Sequence, residues 1–490
     1  MPDILSLVAG HALVWGAGIA LLLALPARRM GGSDVATAQS ATGEWAWIMG
    51  AGWLVGALLL TLVMRIDSAA GLAFGRLAIG LPLAVIGGVA AAVAWRNHRA
   101  DPAQRPFAAH ARDFLDAALG RDLDGWQRAL WWLLLAWLAV RFGVLLAEAM
   151  TRPLYAWDAW TQWSTKARVW FELRTMAPFG HMHEWLPANG TLYFDAAPHY
   201  PATVPLWQVW SAVLLGRWDD SRISGAWWMT GLALTCAAFG FLRAAGCGRL
   251  AALAGAALVA TLPIIDVHIA LAGYADLPIA ACITLATLTG WRLARTRSVR
   301  DLVLLIVLLV ALPSLKNPGK FWLILLLPGV LVGFSPRWGL RAAAVMLGTG
   351  ALAMLVLAQI DPVILGYRLN LNWNLPWQGL AEAYFVYANW HLLWFGVLAV
   401  AAIGWRSLLA PGVAPLTVTL AIGLLFLFFG FAFTNAALWV EDQSTVNRAT
   451  LHLAPLLAIW MTIVYREWAA GLATRADAAA QTAAVAGAAR

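Results

Sequence analysis

The chain has 490 residues, 62% of them hydrophobic and 12% charged, with a mean hydropathy of +0.72 and a formal net charge of +8. These values exclude an ordinary soluble domain. They also exclude nucleic-acid binding in spite of a pI near 9.8, because the basic residues punctuate apolar runs and form no soluble basic patch.

Apolar runs recur from end to end, at roughly 4–25, 45–64, 71–95, 128–150, 221–243, 249–269, 275–293, 300–315, 319–334, 341–360, 386–405, 411–434 and 450–466. They predict an all-α polytopic membrane protein of about 13 spans. No basic stretch precedes the first run, so it is expected to stay as a span and not to be cleaved as a signal. The 30 Trp residues suit interfacial belts. Cys236, Cys247 and Cys282 lie in or beside apolar runs, at no metal-like spacing, and read as small core residues.

The Arg/Lys bias orients the spans. "RAAGCGR", "RLARTRSVR", "SPRWGLR" and "YREW" all fall on one side, which the positive-inside rule makes cytoplasmic. The N-terminus is then outside and the C-terminus inside. The chain divides into residues 1–127, with three spans and a cytoplasmic loop; 128–380, carrying a large external loop at 151–220; 381–470, with the last spans; and an Ala-rich cytoplasmic tail at 471–490. Within the loop, "TVPLWQVWSAVLLG" is apolar but short, and is expected to lie as an interfacial helix on the outer surface.

So oriented, the acids and bases gather outside. "YAWDAWTQWSTKARVW" places Asp158, Gln162 and Lys166 at helical spacing along one face. The loop continues through "HMHEW" to "APHYPAT", with His199 and Tyr200. Later external turns bring "GYADLP" with Asp276, "LKNPG" with Lys316 and Asn317, "LGYRLN" with Arg368, and "VNRATLHLAP" with Arg448. A carboxylate within hydrogen-bond reach of a hydroxyl can take its proton. Lys and Arg can hold a phosphate and stabilise charge building on it. Each residue also has a structural reading. Asp158 could cap a helix, Lys166 could snorkel to the interface, and Asp276 could complement a helix dipole. The His pair of "HMHEW" is weak as a metal site.

In order and placement these motifs resemble the membrane-embedded GT-C glycosyltransferases. The resemblance is to the bacterial branch of the dolichyl-phosphate-mannose protein mannosyltransferase and lipid A aminoarabinose transferase family. It covers roughly residues 128–466. Those enzymes carry an essential acid at the start of a helical first external loop, where Asp158 stands here. Their His/Lys-Pro-Pro segment resembles "PHYPATVPLWQVW", their Thr-Asp turn "GYADLP", their Thr-Lys-Gly turn "LKNPG", and their late Arg "NRATLHLAPLLAIW". Three extra spans precede the loop, and the second acid of the usual pair is Ala159.

The resemblance implies an inverting transfer from a polyprenyl-phosphate sugar to a lipid, glycan or protein acceptor at the periplasmic face of a bacterial inner membrane. Asp158 would be the general base, supported by Asp276. Lys166, Lys316 and Arg448 would hold the donor phosphate, and Gln162, His199, Tyr200, Asn317 and Arg368 are candidates to touch substrate. No cofactor is expected, since monophosphate-donor members work without a metal. The alternatives are a transporter or lipid flippase, which would carry charge at mid-membrane, and an O-antigen ligase or polymerase using a diphosphate-linked donor.

Overall fold

The computed structural model describes residues 2–26, 39–99, 119–357, 360, 363–364, 367–368, 370–371 and 375–488. The described chain is mostly helical. Its strands are two-residue pairs, Phe179–Gly180 with Tyr193–Phe194 in the loop and Val363–Ile364 with Tyr367–Arg368.

The N-terminal helices are α1 (Pro2–Ala24), α2 (Gln39–Ala69) and α3 (Arg76–Arg99), followed by α4 (Gly125–Thr151). A wide π-helical turn at Ala159–Trp163 runs into α5 (Ser164–Leu173), and α6 spans Thr203–Leu215. Then come α7 (Gly225–Ala244), α8 (Arg249–Ala260), α9 (Pro263–Ala270), α10 (Asp276–Thr296) and α11 (Val299–Leu315). After these come α12 (Gly319–Leu325), α13 (Leu327–Phe334), α14 (Pro336–Leu357), α15 (Leu393–Ile403), α16 (Ala414–Phe433), α17 (Thr445–Leu451) and α18 (Ala454–Ala488), with short turns of helix at Trp377–Ala381 and Leu438–Glu441.

Seven of these are long and apolar enough to cross a membrane. The number is nine if the bent pairs α8–α9 and α17–α18, kinked by 58° and 50°, each count as one span. The protein is therefore an all-α, multi-pass membrane protein by length and composition. The runs expected at 300–315, 319–334, 341–360 and 386–405 fall on helices outside this set, most of them shorter.

α10 forms the centre. Every residue from Asp276 to Leu293 is buried, with α7, α11, α13 and α16 around it. α3 lies at the edge, where exposed Leu77, Leu81, Val85 and Val89 recur every fourth residue as an outward apolar stripe. α1 and α2 approach backbone to backbone at their glycines. A Cβ on Gly56 would fall 1.9 Å from Val14 O, the close packing that small residues permit in lipid.

α6 departs from the expectation of an interfacial helix. All thirteen of its residues are buried. Trp207 Nε1 donates to Ala57 O of α2, Ser211 Oγ contacts His11 Nε2 of α1 at 3.1 Å, and Gly10 of α1 faces Leu214. A helix apolar all round must be covered on every side. Here the three N-terminal helices help cover it, so the 151–220 loop is anchored to the helix bundle.

The helix ends sort into two sets. At one end Arg292 pairs with Glu44 at 2.7 Å and Asp301 at 3.2 Å, and Arg300 pairs with Glu44 at 3.0 Å. Arg300 also donates to Leu25 O, and Trp291 to Gly412 O. At the other end Arg217 pairs with Asp3 at 2.9 Å, and Ser221 donates to Thr151 O. Asp276 and Arg292 mark the two ends of α10, about 24 Å apart along the axis at 1.5 Å per residue. That separation is close to the thickness of a hydrocarbon core.

Candidate functional site

The site forms where α10 begins and α11 ends. Ser298 caps α11 by accepting from Asp301 N at 3.0 Å, after a left-handed turn at Arg297. α11 then returns antiparallel to α10, so the last residue of one meets the first of the other. Asp276 lies in the first turn of α10, at the positive end of its dipole, and Lys316 caps the C-terminus of α11, at the negative end of its own. Lys316 Nζ lies 2.5 Å from Asp276 Oδ1.

α17 supplies the second cation. Its orientation is held by Trp390 Nε1 donating to Asn447 Oδ1 at 2.9 Å, and by Tyr384 and Thr450 hydroxyls 3.0 Å apart. Arg448 aims one guanidinium edge at Asp276 Oδ2, with Nη2 at 3.0 Å and Nε at 3.2 Å. Its Nη1 reaches Asp158 Oδ2 at 2.7 Å. His452, one turn on, accepts from Trp322 Nε1 at Nδ1, so its Nε2 carries the proton that faces Asp276 Oδ1 at 3.4 Å.

Asp158 arrives on the loop. It precedes the π-helical turn with helical φ and ψ, and its side chain makes no capping hydrogen bond. The capping alternative therefore fails, and the carboxylate serves Arg448 instead. The turn at 271–275 presses against this segment because residue 273 is glycine. Gly273 has φ +112°, and a Cβ there would lie 2.5 Å from the Ala159 Cβ. Tyr274, held by Trp227 Nε1 donating to its carbonyl at 2.7 Å, places its ring 4.0 Å from the Arg448 guanidinium carbon. Burial raises the Tyr274 phenol above its ordinary value.

Asp158, Asp276, Lys316 and Arg448 are thus brought within ion-pair range from four separate segments. The two acids differ. Asp276 is fully buried, with both oxygens occupied, whereas the Asp158 side chain is 22% exposed and one of its oxygens lies outside the ion pair. Asp276 is built to anchor two cations, and Asp158 is the acid open to a ligand.

Lys166 does not join them. It is buried in the loop, where Nζ donates to Ala197 O at 2.6 Å and Tyr200 O at 3.3 Å and lies 3.7 Å from the buried Asp195. Eight residues of helix carry it about 12 Å along the axis from Asp158. The carbonyls of the loop claim its ammonium, and burial lowers its pKa to about 8 against the pull of Asp195.

The other candidates disperse. Gln162 lies on the π-helical turn with its amide oxygen buried and unpartnered among the described residues. Tyr200 stacks on Trp163 with ring centroids 5.0 Å apart. His199 is exposed, with its ring against Tyr200 and His181. Asn317 is buried in the turn after Lys316. The side chain of Arg368 lies outside the described residues. Among the described residues, no three His, Cys, Asp or Glu side chains are placed to hold a metal.

Sequence reasoning passed over His452, Trp322 and His268 as site residues. His452 was open to discovery, since it follows Arg448 by four residues. His268 is buried, its Nδ1 donates to Ile264 O at 2.7 Å, and its ring lies 5.9 Å from Tyr274. Its Nε2 has no partner among the described residues, so a buried acceptor stands beside the cluster.

No protein-family model matches the chain, and no curated protein or solved structure matches it.

Proposed function

We propose that the protein is an integral membrane glycosyltransferase of GT-C type, moving a sugar from a polyprenyl-phosphate donor to an acceptor at the external face of a bacterial inner membrane. The observation that carries this reading is the convergence of Asp158, Asp276, Lys316 and Arg448 at one end of the bundle. In this reading about 13 helical segments cross the membrane, with the N-terminus periplasmic and the C-terminus cytoplasmic.

The step is a single displacement. The acceptor oxygen attacks the anomeric carbon and gives its proton to Asp158. The bond from that carbon to the phosphate oxygen breaks, and its electron pair leaves with the phosphate. Configuration inverts. Lys316 and Arg448, fixed in advance by Asp276, hold the charge that grows on the phosphate. Exposed Tyr155, Trp157 and Trp160 flank Asp158, and their amphipathic rings suit the bilayer interface.

The test is transfer in membranes containing the wild-type protein, with polyprenyl-monophosphate and polyprenyl-diphosphate sugars offered separately. Product from the monophosphate donor, with inverted configuration, supports the reading. Product from the diphosphate donor alone moves the protein to the ligase or polymerase class.

One observation favours a second reading, a transporter or flippase. Arg141 in α4 pairs with Asp266 in α9, beside the kink between α8 and α9. The pair lies about 15 Å along α4 from its site end, at a depth where charge is rarely idle. Movement of lipid-linked sugar without any transfer would select this reading.

A further inference from the structure

The contacts of Arg448 fall into two kinds. Nε and Nη2 both go to Asp276 Oδ2, a carboxylate with no exposure that is also held by Lys316 and faced by His452. Displacing that acid would strip two cations of their partner inside the protein, which is strongly unfavourable. Nη1 goes instead to Asp158, whose side chain is 22% exposed. Asp158 comes from the external loop, whereas Asp276 is part of the central helix. The edge of Arg448 that can change partners is therefore Nη1.

Charge leads to the same edge. Two carboxylates and two cations make the cluster neutral as it stands. Within this cluster a phosphate adds negative charge that the two cations, already matched by two carboxylates, do not balance. Of the two carboxylates, Asp158 gives up its share of Arg448 at the lower cost.

We propose that Asp158 stands, in the ligand-free protein, where the donor's phosphate binds, and that the phosphate displaces it from Arg448 and so frees it to act as base. The proposal rests on the transferase reading above and adds the order of events. Before the donor arrives, Asp158 is held in its ion pair with Arg448 Nη1 and is not free to turn to an acceptor. After exchange its carboxylate is released from that pair and can face the acceptor hydroxyl. It then takes the proton from the acceptor hydroxyl. The new carbon–oxygen bond forms as the bond to phosphate breaks, and the departing electron pair stays on the phosphate oxygen held by Arg448 and Lys316. Donor binding thus arms the base, and one arginine serves first as its restraint and then as the leaving group's support.

An unusual consequence follows. Asp158→Asn removes both the base and the competitor, so it weakens transfer and strengthens phosphate binding. An acid whose only role was to accept a proton would not compete with the donor.

The experiment measures binding of a short-chain prenyl monophosphate and the matching prenyl alcohol to the full-length protein in detergent, for wild type and Asp158→Asn. The variant is expected to bind the monophosphate roughly 3- to 10-fold more tightly, as removal of a partly exposed competing ion pair allows, and to bind the alcohol unchanged. Equal or weaker monophosphate binding by the variant, with wild-type transfer intact, overturns the exchange and leaves the transferase reading standing. An equal gain for monophosphate and alcohol also overturns it, since the change would then act on the prenyl chain and not on the phosphate. A wild-type protein that prefers neither ligand overturns both.

Discussion

Asp276 is the anchor of the site, and its removal tests that role. Asp276→Asn keeps the shape and one acceptor oxygen but takes away the negative charge. The cluster then carries one positive charge in excess. Arg448 retains Asp158, but Lys316, whose side chain is 12% exposed, loses its ion-pair partner Asp276. Leaving a buried charge unpaired costs about 3–5 kcal/mol, and the partial exposure of Lys316 places the expected loss near the lower figure. Lys316→Met is milder, about 1–2 kcal/mol, because Asp276 keeps two hydrogen bonds from Arg448. The double variant restores neutrality. It should be more stable than the sum of the single losses by about 2 kcal/mol. Unfolding of the three variants and the wild type in detergent, followed by tryptophan fluorescence, reads the cycle. Losses that add to within about 0.5 kcal/mol would refute the coupling, and with it the idea that Asp276 exists to hold Lys316.

Other expectations come from the same contacts. Arg448→Lys keeps the charge but cannot bridge two carboxylates side-on, so transfer should fall roughly 100-fold; a rate within twofold of wild type would remove Arg448 from the reaction. Lys166→Met should destabilise the loop, since it takes the cation from buried Asp195, which keeps only its hydrogen bond from Ala197 N, and the donor from two carbonyls. The variant should show faster proteolysis of residues 174–202, and unchanged proteolysis would contradict the tether. Lys166 also gives a pH signature. Its folded pKa of about 8 lies below the ordinary lysine value of 10.5, so above pH 8 the unfolded chain binds more protons. Stability should therefore rise with pH between about 8 and 10.5, by at most on the order of 3 kcal/mol. The rise should vanish in Lys166→Met, and a rise that persists there belongs to another group.

Much of the site was legible because three of its four charged residues border apolar runs. Asp276, Lys316 and Arg448 interrupt greasy sequence at helix ends, where a charge needs a reason. Helix direction alone then places the start of one helix beside the end of its antiparallel neighbour. The fate of Lys166 was not legible. It depends on Asp195 and on the carbonyls of Ala197 and Tyr200, which reach it through the fold of the loop and not through helical spacing. The burial of α6 was half legible. "TVPLWQVWSAVLL" is apolar on every face, which argues for complete covering, yet the partners that cover it lie some 150 to 200 residues earlier in the chain. The span count followed hydropathy, but hydropathy does not measure helix length. α12 and α13 occupy one apolar run as two pieces, of 7 and 8 residues.

The most direct measurement is single-turnover transfer from a polyprenyl-monophosphate sugar by Asp158→Asn, beside wild type at matched expression, with donor binding measured on the same samples. Loss of transfer by roughly 100-fold or more, with the donor still bound, is the expected result. Transfer at the wild-type rate would return Asp158 to an ordinary ion-pair partner of Arg448 and leave the site without its base.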